Sequence, residues 1–298
     1  MASITNNNGA LGRLGGRAPK PAPKVSLVDA LEASTYEVLP FKSAEDKVLA
    51  SVPKNIALTV TTTEAKGLGP TIDLASKLGD HGYQAAPHIA ARLVRDKSHL
   101  QDIVDQLSNS GIDSIFVIAG DAEEPAGIFP DALSVLEGLA EIGHSFGTVG
   151  IGGYPDGHGK ITDELIEQAL ERKAPYATQM ITQLCFDSDQ TIEWAKKVHA
   201  RGVQLPIRVG IPGAINRQKL IRVSAGLGLG QSASFLKKQQ SMFWRFFLPG
   251  GYSPNKLVTG LTAAFGQGDN NLSGFHIFTF NELEDTEKWR QNWLAKLR

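Results

Sequence analysis

The chain has 298 residues, 42% of them hydrophobic, and a formal net charge of -1. That balance describes a globular protein and lacks the basic excess that duplex nucleic acid or an anionic membrane surface attracts, so polyanion-binding functions are set aside. Cys185 is the single cysteine, which rules out an internal disulfide and fits a reducing compartment, the cytoplasm by default.

In chain order, residues 1–30 come first, with Asn6-Asn7-Asn8, Gly15-Gly16 and Pro19-Lys20-Pro21-Ala22-Pro23-Lys24. This stretch offers no apolar face and reads as a flexible N-terminal segment outside the fold. It contains no continuous apolar run of about 7 to 15 residues, so no secretory signal is expected. Phe243 to Leu248 falls far short of the roughly 20 apolar residues of a spanning helix, so no membrane span is expected either. That aromatic cluster reads as helix packing or as a contact in a homo-oligomer.

From Ser34 onward, short runs rich in Val, Ile, Thr and aromatics alternate with segments of helical period. Eight runs stand out: Thr35 to Leu39, Ile56 to Thr62, Gln84 to Ile89, Ser114 to Ala119, Phe146 to Gly152, Ala177 to Leu184, Pro206 to Ile211 and Gly274 to Phe280. Eight strands with intervening helices predict a single (β/α)8 TIM barrel over residues 31–298. A doubly wound open sheet uses the same units and is the structural rival. Leu100, Ile103, Val104 and Leu107 carry the buried stripe of one helix, with Ser98 and Gln101 as a capping box and Gly111 as its left-handed terminus. Ser43 and Asp46 open the first helix of the barrel in a similar way. Ala214 to Ser273 has room for at least two helices around the turn Gly226 to Gly230.

In a barrel the chemistry gathers at the C-terminal strand ends. Those positions hold Glu37, Thr61, His88, Asp121, Tyr154 with His158, and Gln183. A carboxylate within the apolar Tyr36-Glu37-Val38-Leu39 run is desolvated, which raises its pKa and suits a general acid; pairing with an inward Lys or Arg is the alternative. Asp121 follows Gly120, which lets backbone approach a ligand closely, and either fixes a polar heterocycle or caps the next turn. Gln183 suits the amide-like edge of a pterin or flavin, or is satisfied by backbone. His88 and His158 are ring or phosphate contacts; with Asp121 they are also conceivable metal ligands, but no His-x-His or His-x-x-x-His pair exists. Gly150, Gly152 and Gly153 lack the dinucleotide-binding order and read as packing glycines.

Tyr36-Glu37-Val38-Leu39-Pro40, Pro87-His88-Ile89, Ala119-Gly120-Asp121, Gly153-Tyr154-Pro155 through His158, Ile181-Thr182-Gln183 through Asp187, and His276 through Asn281 together resemble the methylenetetrahydrofolate reductase family in order and approximate spacing. The resemblance spans nearly the whole barrel. It implies interconversion of 5,10-methylenetetrahydrofolate and 5-methyltetrahydrofolate in one-carbon metabolism and methionine biosynthesis, with hydride passing between NADH or NADPH and folate through FAD. It further implies Glu37 as the acid that opens the folate ring, Asp121 as a catalytic contact to flavin and pterin, and Gln183 as a pterin anchor. Thr61, His88, Gly120, Asp121, Tyr154, His158 and Lys173 match flavin-contacting positions; Lys173 at a helix end also answers the helix dipole. The family commonly has Arg-Gly-Asp where this chain has Ala119-Gly120-Asp121, one guanidinium fewer for a dinucleotide. A flavin-independent version of the reaction and a methylfolate-binding or methyl-transfer barrel without redox activity are the alternatives.

Overall fold

The structure, a computed structural model, describes residues 25–158, 161–214 and 253–298. Eight strands, β1 (Thr35–Val38), β2 (Ala57–Val60), β3 (Ala85–Ala90), β4 (Ser114–Ile118), β5 (Thr148–Gly153), β6 (Gln179–Thr182), β7 (Ile207–Pro212) and β8 (Leu272–Phe278), pair in sequence order and close into a barrel. Each neighbouring pair is parallel, including the closing pair β1 and β8. The open-sheet alternative is therefore excluded. All eight strands fall on the apolar runs of the sequence, because residues able to pack both against helices and into a barrel interior are the residues of a parallel strand.

Among the described residues the helices are α1 (Leu27–Glu32), α2 (Ala44–Ser51), α3 (Gly69–Asp80), α4 (Lys97–Asn109), α5 (Ala132–Ile142), α6 (Asp163–Lys173), α7 (Ser188–Ala200), α8 (Asn255–Leu261) and α9 (Leu283–Leu297). In α4 the stripe Leu100, Ile103, Val104 and Leu107 is buried, as its spacing predicts. The cap differs from the expected one. Asp96, not Ser98, is the N-cap and accepts from the His99 amide at 2.8 Å, and Ser98 lies inside the first turn. Asp96 wins because its carboxylate satisfies an orphan amide and answers the positive end of the helix dipole. Gly111 follows the helix with φ +68, the left-handed terminus expected there. Ser43 does open α2, without a side-chain cap bond.

Two further differences concern the ends of the barrel. The segment expected to be flexible up to residue 30 already forms α1 from Leu27, with Leu27, Ala30 and Leu31 buried and Ser26 and Asp29 making a capping box. Its apolar residues are few but buried, and the helix packs against β8 and α9. The last strand ends at Phe278, two residues early, because Phe280 and Asn281 take left-handed φ values of 51 and 58. The expected Gly226 to Gly230 turn, the Phe243 to Leu248 cluster and the residues before 25 lie outside the described residues.

Burial is uneven around the ring. α5 buries Ala132, Leu133, Val135, Leu136, Gly138 and Leu139, whereas α6 buries only Leu170. Leu165 of α6 is 55% exposed. Exposed ion pairs from Arg201 to Glu167 and Glu171 join α6 to the residue that caps the C-terminus of α7. Among the described residues, no helix is long and apolar enough to cross a membrane.

Candidate active site

Residues paired across parallel strands project to the same face, so the ladders sort inside from outside. Tyr36 points outward, since its phenol donates to Glu287 of α9 at 2.5 Å. Its neighbour Glu37 therefore points inward, level with Thr59 of β2 and Phe278 of β8. The same alternation turns His88, Phe116, Gly150, Gly210 and His276 inward. A Cβ on Gly150 would stand 2.6 Å from Phe116 Cδ2, so glycine there leaves the room the ring occupies. Phe116 in turn lies 4.8 Å from the His88 ring, centre to centre. Gly150 and Gly153 are thus packing glycines, as the sequence suggested; a Cβ on Gly153 would crowd Met180 and Trp194.

Glu37 is buried, 8% exposed, and burial alone pushes its carboxyl up to about 8. No inward Lys or Arg neutralises it among the described residues. Arg208, the guanidinium at the lower end of the interior, donates to Ala33 O at 2.5 Å and to Gln179 Oε1 at 3.2 Å instead. Among the described residues the ion-pair alternative for Glu37 is therefore not met, and burial favours the neutral carboxylic acid at pH 7. On β2 and β3 and just past β2, Thr59 Oγ1, His88 Nε2 and Thr61 Oγ1 are buried without a hydrogen-bond partner among the described residues. Buried polar atoms are normally paired, so three together on or next to β2 and β3 mark a wall suited to a polar ligand. Burial holds His88 neutral, with its pKa lowered to about 3. His276, whose ring nitrogen Nδ1 lies 2.8 Å from Thr35 Oγ1, is lowered well below the usual value by burial and then by His88 and Arg208.

At the mouth, Gly120 adopts φ +87, and a Cβ there would press on Ala90 at 3.1 Å, so the turn that presents Asp121 needs glycine. Asp121 is exposed, and among the described residues no hydrogen bond takes up its carboxylate, against the turn-cap alternative. Burial, and secondarily Asp121, raises the Tyr154 phenol, which places the two groups near one another. The rings of Tyr154 and His158 meet edge to face at 5.4 Å. Gln183 ties the end of β6 to β5 through its amide and Gly153 O at 2.8 Å. Its side chain is exposed rather than buried, with Oε1 accepting from Leu184 N at 2.9 Å. Lys173 ends α6, half-buried; burial lowers its pKa and Asp131, the N-cap of α5, works against that shift.

Two features of this site escaped the sequence reading. Thr59 is indistinguishable from any strand threonine until its register with Glu37 is known. Arg92, just past β3, holds the loop that carries Asp121: its backbone amide donates to Ala119 O at 3.0 Å, Nη1 to Ala122 O at 2.7 Å and Nε to Pro130 O at 2.9 Å. Among the described residues no group of three or more His, Cys, Asp or Glu is arranged to hold a metal ion.

A family profile described as methylenetetrahydrofolate reductase matches residues 40–229, well over half of the chain. The match takes in every candidate above except Glu37. Methylenetetrahydrofolate reductase 2 of Saccharomyces cerevisiae is 26% identical over 129 residues, 38% of this chain and 21% of that protein. The aligned region thus spans about a fifth of the relative's length. Among solved structures, a candidate phosphonomutase from Burkholderia cenocepacia J2315 superposes with a TM-score of 0.51 at 8% identity, covering 91% of this chain and 95% of that one. At that identity the likeness is one of fold alone.

Proposed function

Because the chain belongs to the methylenetetrahydrofolate reductase family, we propose that it is a folate-linked oxidoreductase that interconverts 5,10-methylenetetrahydrofolate and 5-methyltetrahydrofolate with NADH or NADPH and FAD. The observation that carries this reading is Glu37, a carboxyl unpaired among the described residues and pushed up to about 8 by burial inside the barrel. At neutral pH it keeps a proton on a carboxyl oxygen, ready for the folate ring nitrogen whose bond to the bridging methylene carbon must break. Protonating that nitrogen makes it a leaving group. The one-carbon unit then carries positive charge as an iminium, which the Asp121 carboxylate offsets. Gln183 has Oε1 engaged by backbone and its Nε2 donors left to anchor the pterin.

The residues fit FAD. Thr61 Oγ1 and His88 Nε2 are orphaned buried atoms, and Gly120 allows close backbone approach. Tyr154 and His158 add ring surface, and Lys173 adds a cation for a pyrophosphate. When bound, FAD supplies a two-electron carrier between the reduced nicotinamide and the folate.

One observation favours a second reading, the same reaction without flavin. Ala119 offers no guanidinium, and Arg92, which does reach that loop, is committed to the carbonyls of Ala122 and Pro130. Visible absorbance of the purified protein, combined with anaerobic turnover of methylenetetrahydrofolate with each nicotinamide, tests both. A yellow, active protein supports the flavin reading, and a colourless active one supports the second. Binding of methyltetrahydrofolate without redox conversion in either direction overturns both in favour of a binding or methyl-transfer barrel.

A further inference from the structure

The ladder between β1 and β8 ends at Glu37 and Phe278, yet side chains keep the two segments joined beyond it. Thr279 Oγ1 donates to the Glu37 carbonyl at 2.6 Å and accepts from Asn281 N at 3.1 Å. Asn281 then spans Leu39: its Oδ1 accepts from Leu39 N at 2.8 Å, and its Nδ2 donates to Leu39 O at 2.9 Å. The amide offers β1 the donor and acceptor that a neighbouring strand's backbone would offer. Thr279 is 0% and Asn281 4% exposed. The chain reaches this arrangement through two successive left-handed residues, Phe280 and Asn281. Asparagine tolerates that conformation, but phenylalanine there is strained and persists only where the surroundings over-determine it.

We propose that Thr279 and Asn281 are positioning residues for Glu37: by gripping the backbone at Glu37 O and on both sides of Leu39, they fix the direction in which the carboxyl projects into the barrel. The inference rests on the reading of Glu37 as the proton donor. The ionisable groups on the inward strand positions are His88 of β3, His276 of β8 and Arg208 of β7, with Asp121 and Tyr154 beyond the strand ends. None is hydrogen-bonded to the Glu37 carboxyl among the described residues, so its environment is set by where its backbone holds it. Lys47 braces the clasp from outside, donating to Asn281 O at 3.2 Å.

The test uses the full chain with Asn281→Gly, Thr279→Val and Thr279→Ser. Glycine keeps the left-handed backbone without strain while removing the amide, and Thr279→Val keeps the shape while removing the hydroxyl. Carboxyl carbon NMR of ligand-free protein follows the Glu37 titration, with Glu37→Gln identifying its signal. We expect Asn281→Gly and Thr279→Val to lower the Glu37 midpoint by about one pH unit, a tenfold loss of proton affinity, and Thr279→Ser to restore it. In turnover, folate reduction falls about tenfold while oxidation of reduced nicotinamide is kept, the split a positioning role requires. An unmoved Glu37 titration in folded Asn281→Gly and Thr279→Val protein overturns the proposal, whatever happens to stability. A shifted titration in a protein that never converts folate upholds the clasp and overturns the proposed function instead.

Discussion

Tyr36 and Glu37, consecutive in β1, carry their acidic hydrogens to opposite sides of the barrel wall. The Tyr36 phenol is bonded at 2.5 Å to Glu287, which Arg290 also holds at 2.7 Å, while the Glu37 carboxyl has no partner among the described residues. Tyr36→Phe should cost about 1 kcal/mol of stability, one buried hydrogen bond, with turnover unchanged. Loss of turnover without loss of stability in a denaturant titration would contradict this division of β1 into an outer anchor and an inner acid.

Glu37→Gln separates the two halves of the proposed reaction. Oxidation of reduced nicotinamide by the bound flavin, followed in a stopped-flow instrument, should keep its rate, whereas folate reduction should fall by about 100-fold or more. Equal loss in both halves would mean that Glu37 serves binding rather than proton transfer.

The same substitution should change how stability responds to alkali. Glu37 titrates near 4.5 when exposed and at about 8 in the fold, so the native state holds its proton more tightly than the unfolded chain. Its contribution is complete below 4.5 and is lost as pH rises through about 8, a change on the order of a few kcal/mol. Glu37→Gln lacks this titration. Thermal unfolding from pH 5 to 9 should show wild type losing ground to the variant toward the alkaline end, and parallel curves would argue against the buried neutral acid.

His88 has the opposite sign. Its usual midpoint of 6.5 is lowered to about 3 in the fold, so the stability it lends is present above 6.5 and lost as pH falls toward 3. His276 adds to the loss in the same direction. His88→Asn should flatten the acid limb of the stability profile, and an unchanged limb would show that His88 is solvated.

Gly150→Ala places a methyl group 2.6 Å from Phe116 Cδ2. Overpacking of that kind costs roughly 1 to 3 kcal/mol, and here it also pushes Phe116 toward His88. Lower stability together with a perturbed His88 ring signal in NMR is the expected outcome; a neutral effect would mean that the interior has slack.

How much of this was legible beforehand differs from residue to residue. The strands were, because a parallel barrel strand is apolar on its outer face and bounded by polar residues. The placement of Glu37, Asp121 and Gln183 at strand ends followed directly. The α4 cap is not legible, since Asp96 and Ser98 offer similar chemistry two residues apart and only the path of the backbone chooses between them. Thr59 became visible through cross-strand register. The Asn281 clasp depends on two non-glycine residues in a left-handed conformation, which local propensity disfavours and tertiary contacts impose.

α6 buries one leucine where α5 buries six residues. Local opening is governed by the apolar contacts that must be given up, so α6 should exchange its amide hydrogens well before α5. Loosening of that helix would disturb Lys173, its last residue, before it disturbed the packed side of the barrel under α5. The Lys173 end of the candidate site and the Glu37 end would then relax on separate clocks, the first set by one buried leucine and the second by the closed barrel.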